Sequence, residues 1–286
     1  MDFKAKFDEY RKLVNDYIAE RFAEFEDDTK LLSAMKYSMS AGGKRIRPVM
    51  LVAFSDAFGV PREKSLAFAF SLECIHTFSL IHDDLPAIDD DDMRRGRPSC
   101  HVVFGEAAAI LAGDALLNLA YETCLARVEG ARDVSALKYL ADCAGFSGMI
   151  GGEARDVENQ FSLPDEDLLL RIDALKTGKL LKAPAVIAGI LAGADTADLE
   201  ALGDRIGLIF QFSDDLLDEI GDSKVVGKTL KKDAASGKMT ACLVYGVDGV
   251  KKRIEDLKFE CLKIVEKYDN FDFIKNLIVY IAERNS

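Results

Sequence analysis

The most informative part of the sequence is residues 73–97, which read ECIHTFSLIHDDLPAIDDDDMRRGR. An apolar run leads into a dense group of aspartates, and three arginines follow. His76 and Asp83 are seven residues apart and therefore share one face of a predicted helix. Pro86 ends that helix, because the residue before a proline disfavours helical backbone. The chain is then free to fold Asp89 back towards Asp83.

A second acidic cluster begins 131 residues farther along, within FQFSDDLLD. Gln211, Asp214, Asp215 and Asp218 recur at intervals of three and four, so they share one helical face. Carboxylates on one face repel each other unless a cation lies between them. Oxygen ligands of this kind suit Mg²⁺, which shares its remaining positions with water and substrate phosphates. One such cluster alone favours a solvated acidic face, but two that each follow an apolar helix favour a metal site.

The composition limits the classes of partner. The 286 residues include 37 Lys and Arg against 49 Asp and Glu, a net charge of −12. Eleven of those charges lie in residues 83–92 and 214–222, so the acidity is local. A nucleic-acid partner is excluded, because duplex binding requires a basic face. A hydrophobic content of 49% argues against disorder, and the chain is long enough to bury a core without disulfides.

The cysteines and the apolar runs bear on the cellular compartment. Six cysteines without a CxxC pair indicate reduced thiols. The N-terminal MDFKAKFDEYRKL lacks a signal-peptide core. The apolar stretch 183–194 has 12 residues, too few to span a bilayer. We therefore expect a cytoplasmic protein without stable membrane insertion.

Helical periodicity dominates the whole chain, and several helices are too apolar for a surface position. The predicted helices cover 3–25, 65–84, 104–128, 134–150, 166–192, 198–220 and 250–266. The predicted loops lie near 41–46, 86–99, 130–133, 160–165 and 221–236. Neither alternating strand patterns nor solenoid repeats are found. These patterns predict an all-α protein, one large helical bundle in a single domain over residues 1–286.

Three basic groups accompany the acidic clusters. They are Arg94, Arg95 and Arg97; Lys224, Lys228, Lys231, Lys232 and Lys238; and Lys44, Arg45 and Arg47 within GGKRIRP. Arginine forks and lysine charges beside metal-binding carboxylates are what a diphosphate requires. Charge balance against the neighbouring aspartates is an equally good reading of the arginines alone, and Lys231 and Lys232 favour an exposed loop.

These segments together resemble the trans-isoprenyl diphosphate synthases, or polyprenyl synthetases, and within that family the bacterial type of farnesyl diphosphate synthase. The matching pieces are GGKRIRP (42–48), residues 73–117, GGEARDV (151–157), KTGKL (176–180), FQFSDDLLD (210–218), GKTLKKDAASGK (227–238) and the terminal RN. The resemblance implies an all-helical bundle around a deep central cavity, usually in a homodimer. Glu153 is a departure, because Gln is common in the family at that position of GGEARDV.

The resemblance also implies roles for individual residues. Asp83, Asp89 and Asp214 would bind three magnesium ions, with Asp84 in support and with Asp215 and Asp218 behind Asp214. An allylic diphosphate would be held by Arg94, Lys176, Lys228 and Lys238. Isopentenyl diphosphate would be held by Lys44, Arg47, His76 and Arg95, although His76 on a helix face is also consistent with a satisfied core histidine.

The implied reaction ionises the allylic substrate, condenses the resulting cation with isopentenyl diphosphate, and then eliminates a proton. The Thr177 hydroxyl, the Gln211 side chain and the Lys176 carbonyl would face the cation. No protein nucleophile is required, and the sequence offers no Ser–His–Asp or Cys–His arrangement. His82 and His101 are interpreted as structural.

Product length should depend on the part of the helical sequence that precedes Asp83. Ser79 lies one turn below Asp83, and Phe78 about 7.5 Å below it along the helix. The family resemblance associates an aromatic side chain here with a fifteen-carbon product, although Phe78 could simply pack between helices. A geranylgeranyl diphosphate synthase and a non-catalytic prenyltransferase-like subunit are the alternatives. A terpene cyclase fits less well, because it needs no isopentenyl site.

Overall fold

The computed structural model describes residues 2–26, 28–220 and 237–284. The chain divides into two compact units, Met1–Leu137 and Lys138–Ser286. Within the described ranges the structure is almost entirely helical, and its sheet consists of two strands of two residues each. The all-helical class is therefore confirmed, whereas the single domain over 1–286 stays a prediction.

The first unit begins with helices that are joined by short loops. They are α1 (Phe3–Ala23), α2 (Lys30–Met39), α3 (Ile46–Ala57), α4 (Arg62–Asp83), α5 (Cys100–Phe104) and α6 (Glu106–Leu125). Strands β1 (Met93–Arg94) and β2 (Arg97–Pro98) form an antiparallel hairpin between α4 and α5. Helix α7 (Ala131–Ala144) crosses the division between the units.

Helix α4 forms the centre of the first unit and packs against α3 and α6. Its Ser71 hydroxyl donates to the carbonyl oxygen of Ala120 on α6 at 2.7 Å, so a buried hydrogen bond joins the two helices. Helices α4 and α6 are the two described helices that are long and apolar enough to pass a test for membrane spans. Most of the apolar window of α4, 72%, is buried inside the protein, as is typical of a core helix.

The second unit contains the remaining helices. They are α8 (Met149–Glu158), α9 (Glu166–Asp173), a π-helical turn (Ala174–Gly178), α10 (Lys179–Ala192), α11 (Ala197–Ile220), α12 (Ala241–Val265) and α13 (Asp272–Ala282). Helix α9, the π-helical turn and α10 follow one another without a break, as the prediction of one helix over 166–192 requires. The predicted loop 221–236 lies outside the described residues.

Several predicted boundaries are wrong, and the reasons are local. The predicted helix 134–150 is interrupted after Ala144, where a turn closes with the N–H of Gly148 donating to the carbonyl oxygen of Gly145 (3.0 Å). Helix α7 begins at Ala131, inside a predicted loop. The Asp133 carboxylate in its first turn accepts hydrogen bonds from the N–H groups of Glu129 and Gly130, just before the helix, and so fixes its start. Five helices were not predicted, namely α2, α3, α5, α8 and α13.

The six cysteines are all free thiols, as predicted, and five of them are buried. Burial raises the pKa of the Cys124 thiol to about 12 and that of Cys143 to about 11. These thiols therefore remain protonated at neutral pH and behave as small apolar side chains.

Candidate functional site

The first acidic cluster forms a folded loop at the end of α4. The N–H of Asp89 donates to the carbonyl oxygen of Asp83 at 2.9 Å, and the N–H of Asp91 donates to that of Asp84 at 3.2 Å. The chain thus folds back after Pro86, as its sequence predicts. Asp83 and Asp89 remain partly exposed whereas Asp84 is buried. The two predicted metal ligands are therefore accessible neighbours.

Asp84 holds Arg94. The Arg94 Nε atom lies 2.8 Å from the Asp84 carboxylate, and a second guanidinium nitrogen contacts the same oxygen. Asp91 adds a contact of 3.5 Å to Arg94. Burial raises the pKa of the Asp84 carboxyl, and the hydrogen bond from Arg94 opposes that rise. Asp84 thus fixes the orientation of Arg94, whose contact with the allylic diphosphate stays a prediction.

Arg95 lies in the turn between β1 and β2. Both turn residues, Arg95 and Gly96, have positive φ angles of 55° and 73°, which is the type I′ geometry favoured in two-residue hairpins. The Arg95 Nη1 atom donates to the carbonyl oxygen of Gly42 at 2.5 Å. The hairpin therefore brings Arg95 to the loop between α2 and α3, which contains the GGKR residues. No strand pattern predicted this hairpin, because four strand residues are too few to show one.

His76 is surrounded by positive charge. Its Nε2 atom lies 3.4 Å from Nη1 of Arg47. Desolvation of the ring lowers the pKa of His76 well below its usual range, and Arg47, Arg95 and Arg45 lower it further. A neutral imidazole at neutral pH can accept a hydrogen bond from Arg47. Three of the four residues predicted to hold isopentenyl diphosphate are thus gathered in the first unit, and Lys44 lies in the adjoining loop.

Arg45 is unlike its neighbours in GGKRIRP. Its side chain is only 2% exposed and forms an ion pair of 2.5 Å with Glu73, a buried carboxylate on α4. Arg45 belongs to the basic group in GGKRIRP, but the family resemblance implies no substrate contact for it, and its burial agrees with that. Glu73 escaped notice altogether, because a lone glutamate in an apolar helix carries no motif.

A polar network connects three elements of the second unit. The Thr177 hydroxyl, in the π-helical turn, donates to Oε1 of Gln211 at 2.8 Å. The Gln211 amide donates to Asp215 at 2.7 Å, and Asp215 accepts the N–H of Ala241 at 2.6 Å. Single π-helical turns occur frequently at functional sites. Thr177 and Gln211, predicted to act together, are therefore in direct contact.

Lys176 is paired with two carboxylates of α8. Its Nζ atom lies 2.7 Å from Glu153 and 2.5 Å from Asp156. The backbones of α8 and the π-helical turn also pack closely here. A Cβ atom at Gly152 would lie 2.2 Å from the backbone nitrogen of Lys176, so only glycine permits this contact. Glu153, the departure from the family pattern, thus adds a second negative charge beside Lys176. The predicted contact of Lys176 with a diphosphate stays a prediction.

Asp173 is a buried acid that the sequence did not reveal. Its Oδ2 atom has no hydrogen-bond partner among the described residues. Burial raises the pKa of Asp173 well above its usual range, and the carboxylates of Asp215 and Asp156 raise it further. Asp173 therefore retains its proton at a pH where exposed aspartates are ionised.

In the second acidic cluster, Asp214 is the accessible member. Its side chain is 38% exposed and lies 2.8 Å from Arg284. The Arg284 guanidinium also donates to the carbonyl oxygen of Phe210 at 2.7 Å and lies over the Phe210 ring. Asp215 and Asp218 are buried, in agreement with their predicted places behind Asp214.

Below the first cluster, Phe78 packs against a histidine of the same helix. The rings of Phe78 and His82 form an edge-to-face pair with centroids 5.7 Å apart. His82 Nε2 lies 3.1 Å from the carbonyl oxygen of Ile110 on α6, so its expected structural role is supported. The Ser79 hydroxyl donates to the carbonyl oxygen of His76 at 3.0 Å. The control of product length by Phe78 and Ser79 stays a prediction.

The donor set restricts the kind of metal. Among residues 2–26, 28–220 and 237–284, no three acidic, histidine or cysteine side chains converge on one point. The accessible donors Asp83, Asp89 and Asp214 are carboxylates, which fit Mg²⁺ when water and substrate oxygens complete its coordination. Lys228 lies outside the described residues, and Lys238 is partly exposed.

The chain is similar to known proteins over most of its length. A model of the polyprenyl synthetase family matches residues 28–273. The farnesyl diphosphate synthase of Micrococcus luteus is 38% identical over 97% of this chain and 96% of its own length. Geranylgeranyl pyrophosphate synthase 4 of Arabidopsis thaliana is 41% identical over 88% of this chain and 70% of its own length.

Solved structures share the fold. An FPP/GFPP synthase from Zymomonas mobilis superposes with a TM-score of 0.87 at 31% identity and covers 98% of both chains. The geranyltransferase of Helicobacter pylori, solved with magnesium and isoprenyl diphosphate, superposes with a TM-score of 0.82 at 26% identity and covers 96% of both chains.

Proposed function

Because the chain belongs to the polyprenyl synthetase family, we propose that it is a prenyltransferase that makes farnesyl diphosphate. The reaction is the head-to-tail condensation of isopentenyl diphosphate with dimethylallyl diphosphate and then with geranyl diphosphate. The polyprenyl synthetase match and the 38% identity to the Micrococcus luteus farnesyl diphosphate synthase over 97% of this chain support this assignment.

One observation carries the proposal most directly. The accessible carboxylates Asp83 and Asp89 lie in the same unit as His76. Arg47 lies 3.4 Å from the His76 ring, and the charge of Arg95 also lowers the pKa of His76. An acidic loop suits a metal-bound diphosphate, and a group of arginines suits a second diphosphate bound without metal. Two substrates that each carry a diphosphate require both kinds of site.

The chemistry follows from charge stabilisation. Bound magnesium would supply positive charge to the departing diphosphate. Arg94 and the lysines Lys176, Lys228 and Lys238 are assigned to the same anion, so that the allylic C–O bond breaks heterolytically. The double bond of isopentenyl diphosphate then attacks the cation, and the diphosphate released in the first step removes the proton.

The Thr177 hydroxyl is suited to face the allylic cation. Its proton is directed at Gln211, so the oxygen lone pairs remain available to positive charge. This arrangement provides a fixed dipole without a nucleophile that the cation would alkylate readily. A preorganised dipole costs no reorganisation when the charge develops.

Three ions of Mg²⁺ per chain, a homodimer and a cytoplasmic location complete the proposal. The Helicobacter pylori relative was solved with magnesium, which supports the choice of metal. Apolar side chains exposed near and along α6 offer a surface for a second copy of the chain, namely Val102, Val103, Ile110, Leu111 and Leu125. Sedimentation analysis of the purified protein tests the dimer.

Product analysis tests the activity itself. The protein is incubated with Mg²⁺, labelled isopentenyl diphosphate and each allylic starter in turn, and the dephosphorylated product is sized. We expect a fifteen-carbon product from both dimethylallyl and geranyl diphosphate. A twenty-carbon product would instead establish the geranylgeranyl alternative, to which the Arabidopsis relative points. Absence of any product would favour a non-catalytic subunit.

A further inference from the structure

A single buried carboxylate lies between two arginines from different segments of the first unit. Glu73 on α4 is 1% exposed. It lies 2.5 Å from Arg45 of the α2–α3 loop and 4.0 Å from Arg95 of the β1–β2 turn. The side chains of two segments distant in sequence thus share one counter-ion.

Both arginines occupy left-handed backbone, which is unfavourable for a long side chain. The φ angles are 53° for Arg45 and 55° for Arg95. Such strain persists only where surrounding contacts compensate for it. For Arg45 the compensation is complete, because its guanidinium also donates to the carbonyl oxygen of Met39 (2.5 Å) and to Asn15 (3.2 Å). Arg45 is therefore buried, and each of its three guanidinium nitrogens has a partner within the protein.

Arg95 lies directly on the backbone of the α2–α3 loop. A Cβ atom at Gly43 would lie 2.8 Å from Arg95 Cζ, so only glycine allows the guanidinium to approach this closely. Desolvation lowers the pKa of Arg95, and the positive charges of Arg45 and Arg94 lower it further, while Glu73 opposes them. Glu73 is the compensating charge that keeps Arg95 at this place.

We propose that Glu73 and Arg45 are positioning residues that align Arg95 and the α2–α3 loop for the metal-free diphosphate. The inference rests on the proposed function, in which Arg95, Arg47 and His76 bind isopentenyl diphosphate. Neither Glu73 nor Arg45 touches the substrate. Without the carboxylate, Arg95 loses its counter-ion and is repelled by Arg45 and Arg94, so it leaves the geometry that the second substrate requires.

The Glu73→Gln variant removes the charge and preserves the shape of the side chain. We expect its KM for isopentenyl diphosphate to increase about tenfold, while the KM for geranyl diphosphate changes less than about twofold. Asp133→Asn is the matched control, because Asp133 is also a buried carboxylate of the first unit and pairs with Lys64 at 2.8 Å. That control should lower the melting temperature and leave both KM values as in the unaltered protein.

A double-mutant cycle separates positioning from general structural damage. If Glu73 acts through Arg95, adding Glu73→Gln to a protein that already carries Arg95→Gln should raise the KM for isopentenyl diphosphate by less than about twofold. Independent, multiplying effects of the two changes would overturn the positioning role, as would equal increases in both KM values. An unchanged isopentenyl KM in Arg95→Gln alone would instead overturn the proposed substrate site.

A second pair of variants is available should Glu73→Gln fold poorly. Gly43→Ala places a methyl group against the Arg95 guanidinium, whereas Gly42→Ala meets no atom within 4 Å. Both glycines have positive φ angles, 109° and 77°, so both substitutions strain the backbone. We expect Gly43→Ala to raise the isopentenyl KM at least about fivefold more than Gly42→Ala does. Equal effects of the two variants would overturn the proposed alignment of Arg95.

Discussion

Individual aspartates in the two acidic clusters have different environments despite their similar spacing. Asp83, Asp89 and Asp214 keep exposed carboxylate surface, whereas Asp84 and Asp215 are buried and hydrogen-bonded inside the protein. Only the exposed members have room for a hydrated cation and a substrate. The proposed roles of metal ligand and support therefore correspond to the difference in burial.

Replacing the exposed aspartates tests that division. Asp83→Ala and Asp214→Ala should each lower kcat/KM at least about a hundredfold, because each removes a proposed ligand of the ion that neutralises the leaving group. Steady-state assays at saturating Mg²⁺ measure the loss. Asp198→Ala, which removes an exposed acid of the same helix as Asp214, serves as the control. Full turnover in both site variants would show the metal assignment to be wrong.

Phe78 is the residue proposed to limit product length. Phe78→Ala should lengthen the product beyond fifteen carbons, because the ring no longer blocks the space below the acidic loop. Phe70→Ala is the matched control, since Phe70 is a buried ring of the same helix that packs against Tyr17 and Phe22 of α1. Both variants should lose about 3–5 kcal/mol of unfolding free energy. A fifteen-carbon product from Phe78→Ala would contradict the proposed stop.

Asp173 should make the stability of the protein depend on pH. Its raised pKa means that the folded chain holds this proton more tightly than the unfolded chain, whose value is about 4. The stabilisation from this proton is complete below pH about 4 and decreases as the pH rises towards the folded pKa. Asp173→Asn removes that dependence. The variant should therefore melt at a higher temperature than the unaltered protein, and the difference should be larger at pH 8 than at pH 4.

Thermal melts in the absence of metal and substrate measure this difference. Asp167→Asn, at an exposed position of the same helix, provides the control and should give the same difference at both pH values. A constant difference for Asp173→Asn would mean that Asp173 ionises normally in the folded protein.

Among the secondary-structure elements, the π-helical turn is held in place by close backbone contacts with two helices. The turn lies between α8, where Gly152 faces the backbone of Lys176, and α11, where Gly207 faces Gly178. Side chains at either glycine would push the turn away from its neighbours. The position of Thr177 therefore depends on residues that have no polar group of their own.

Gly207→Ala tests this dependence. A Cβ atom at residue 207 would lie 2.7 Å from Cα of Gly178, so the turn or α11 must shift. We expect a loss of about 1–3 kcal/mol in unfolding free energy, measured by urea denaturation, together with a lower kcat. Gly249→Ala on α12 is the control, because its nearest contact is the Tyr245 Cβ at 3.1 Å. Equal stabilities of the two variants would argue against a tight contact at Gly207.

Helices were predictable from the sequence where the apolar periodicity continues over several turns. The stretches that became α1, α4 and α11 have enough turns for the periodicity of three and four to be clear. The shorter α2 and α8, and the hairpin of β1 and β2, depend on contacts with the rest of their unit and gave no such signal. For Arg95, the sequence motif was recognised, but the β1–β2 turn that positions its side chain was not predicted.

In the molecule as a whole, the net charge of −12 is concentrated in the two acidic clusters rather than spread over the surface. Eleven of those charges lie in residues 83–92 and 214–222. Three bound Mg²⁺ ions would offset about half of that local charge, and the diphosphates would restore it. Metal and diphosphate should therefore stabilise each other's binding.

This coupling is measurable as a thermal shift. Mg²⁺ together with an unreactive allylic diphosphate analogue should raise the melting temperature markedly, and either component alone should raise it much less. Native mass spectrometry of the ternary complex should count three metal ions per chain. Equal shifts with and without the analogue would show that the metal sites are complete without substrate, contrary to the proposal.

The all-helical class, the two acidic clusters and the fold-back of the first cluster follow from local sequence, because helical periodicity and the effect of proline are local properties of the backbone. The partner of each charged side chain, by contrast, depends on the folded structure. Arg45 turns inward to Glu73, and Asp214 pairs with Arg284 near the end of the chain. Asp173 keeps its proton because folding removes it from water. Desolvation and pairing arise from contacts between residues distant in sequence, which no local pattern records.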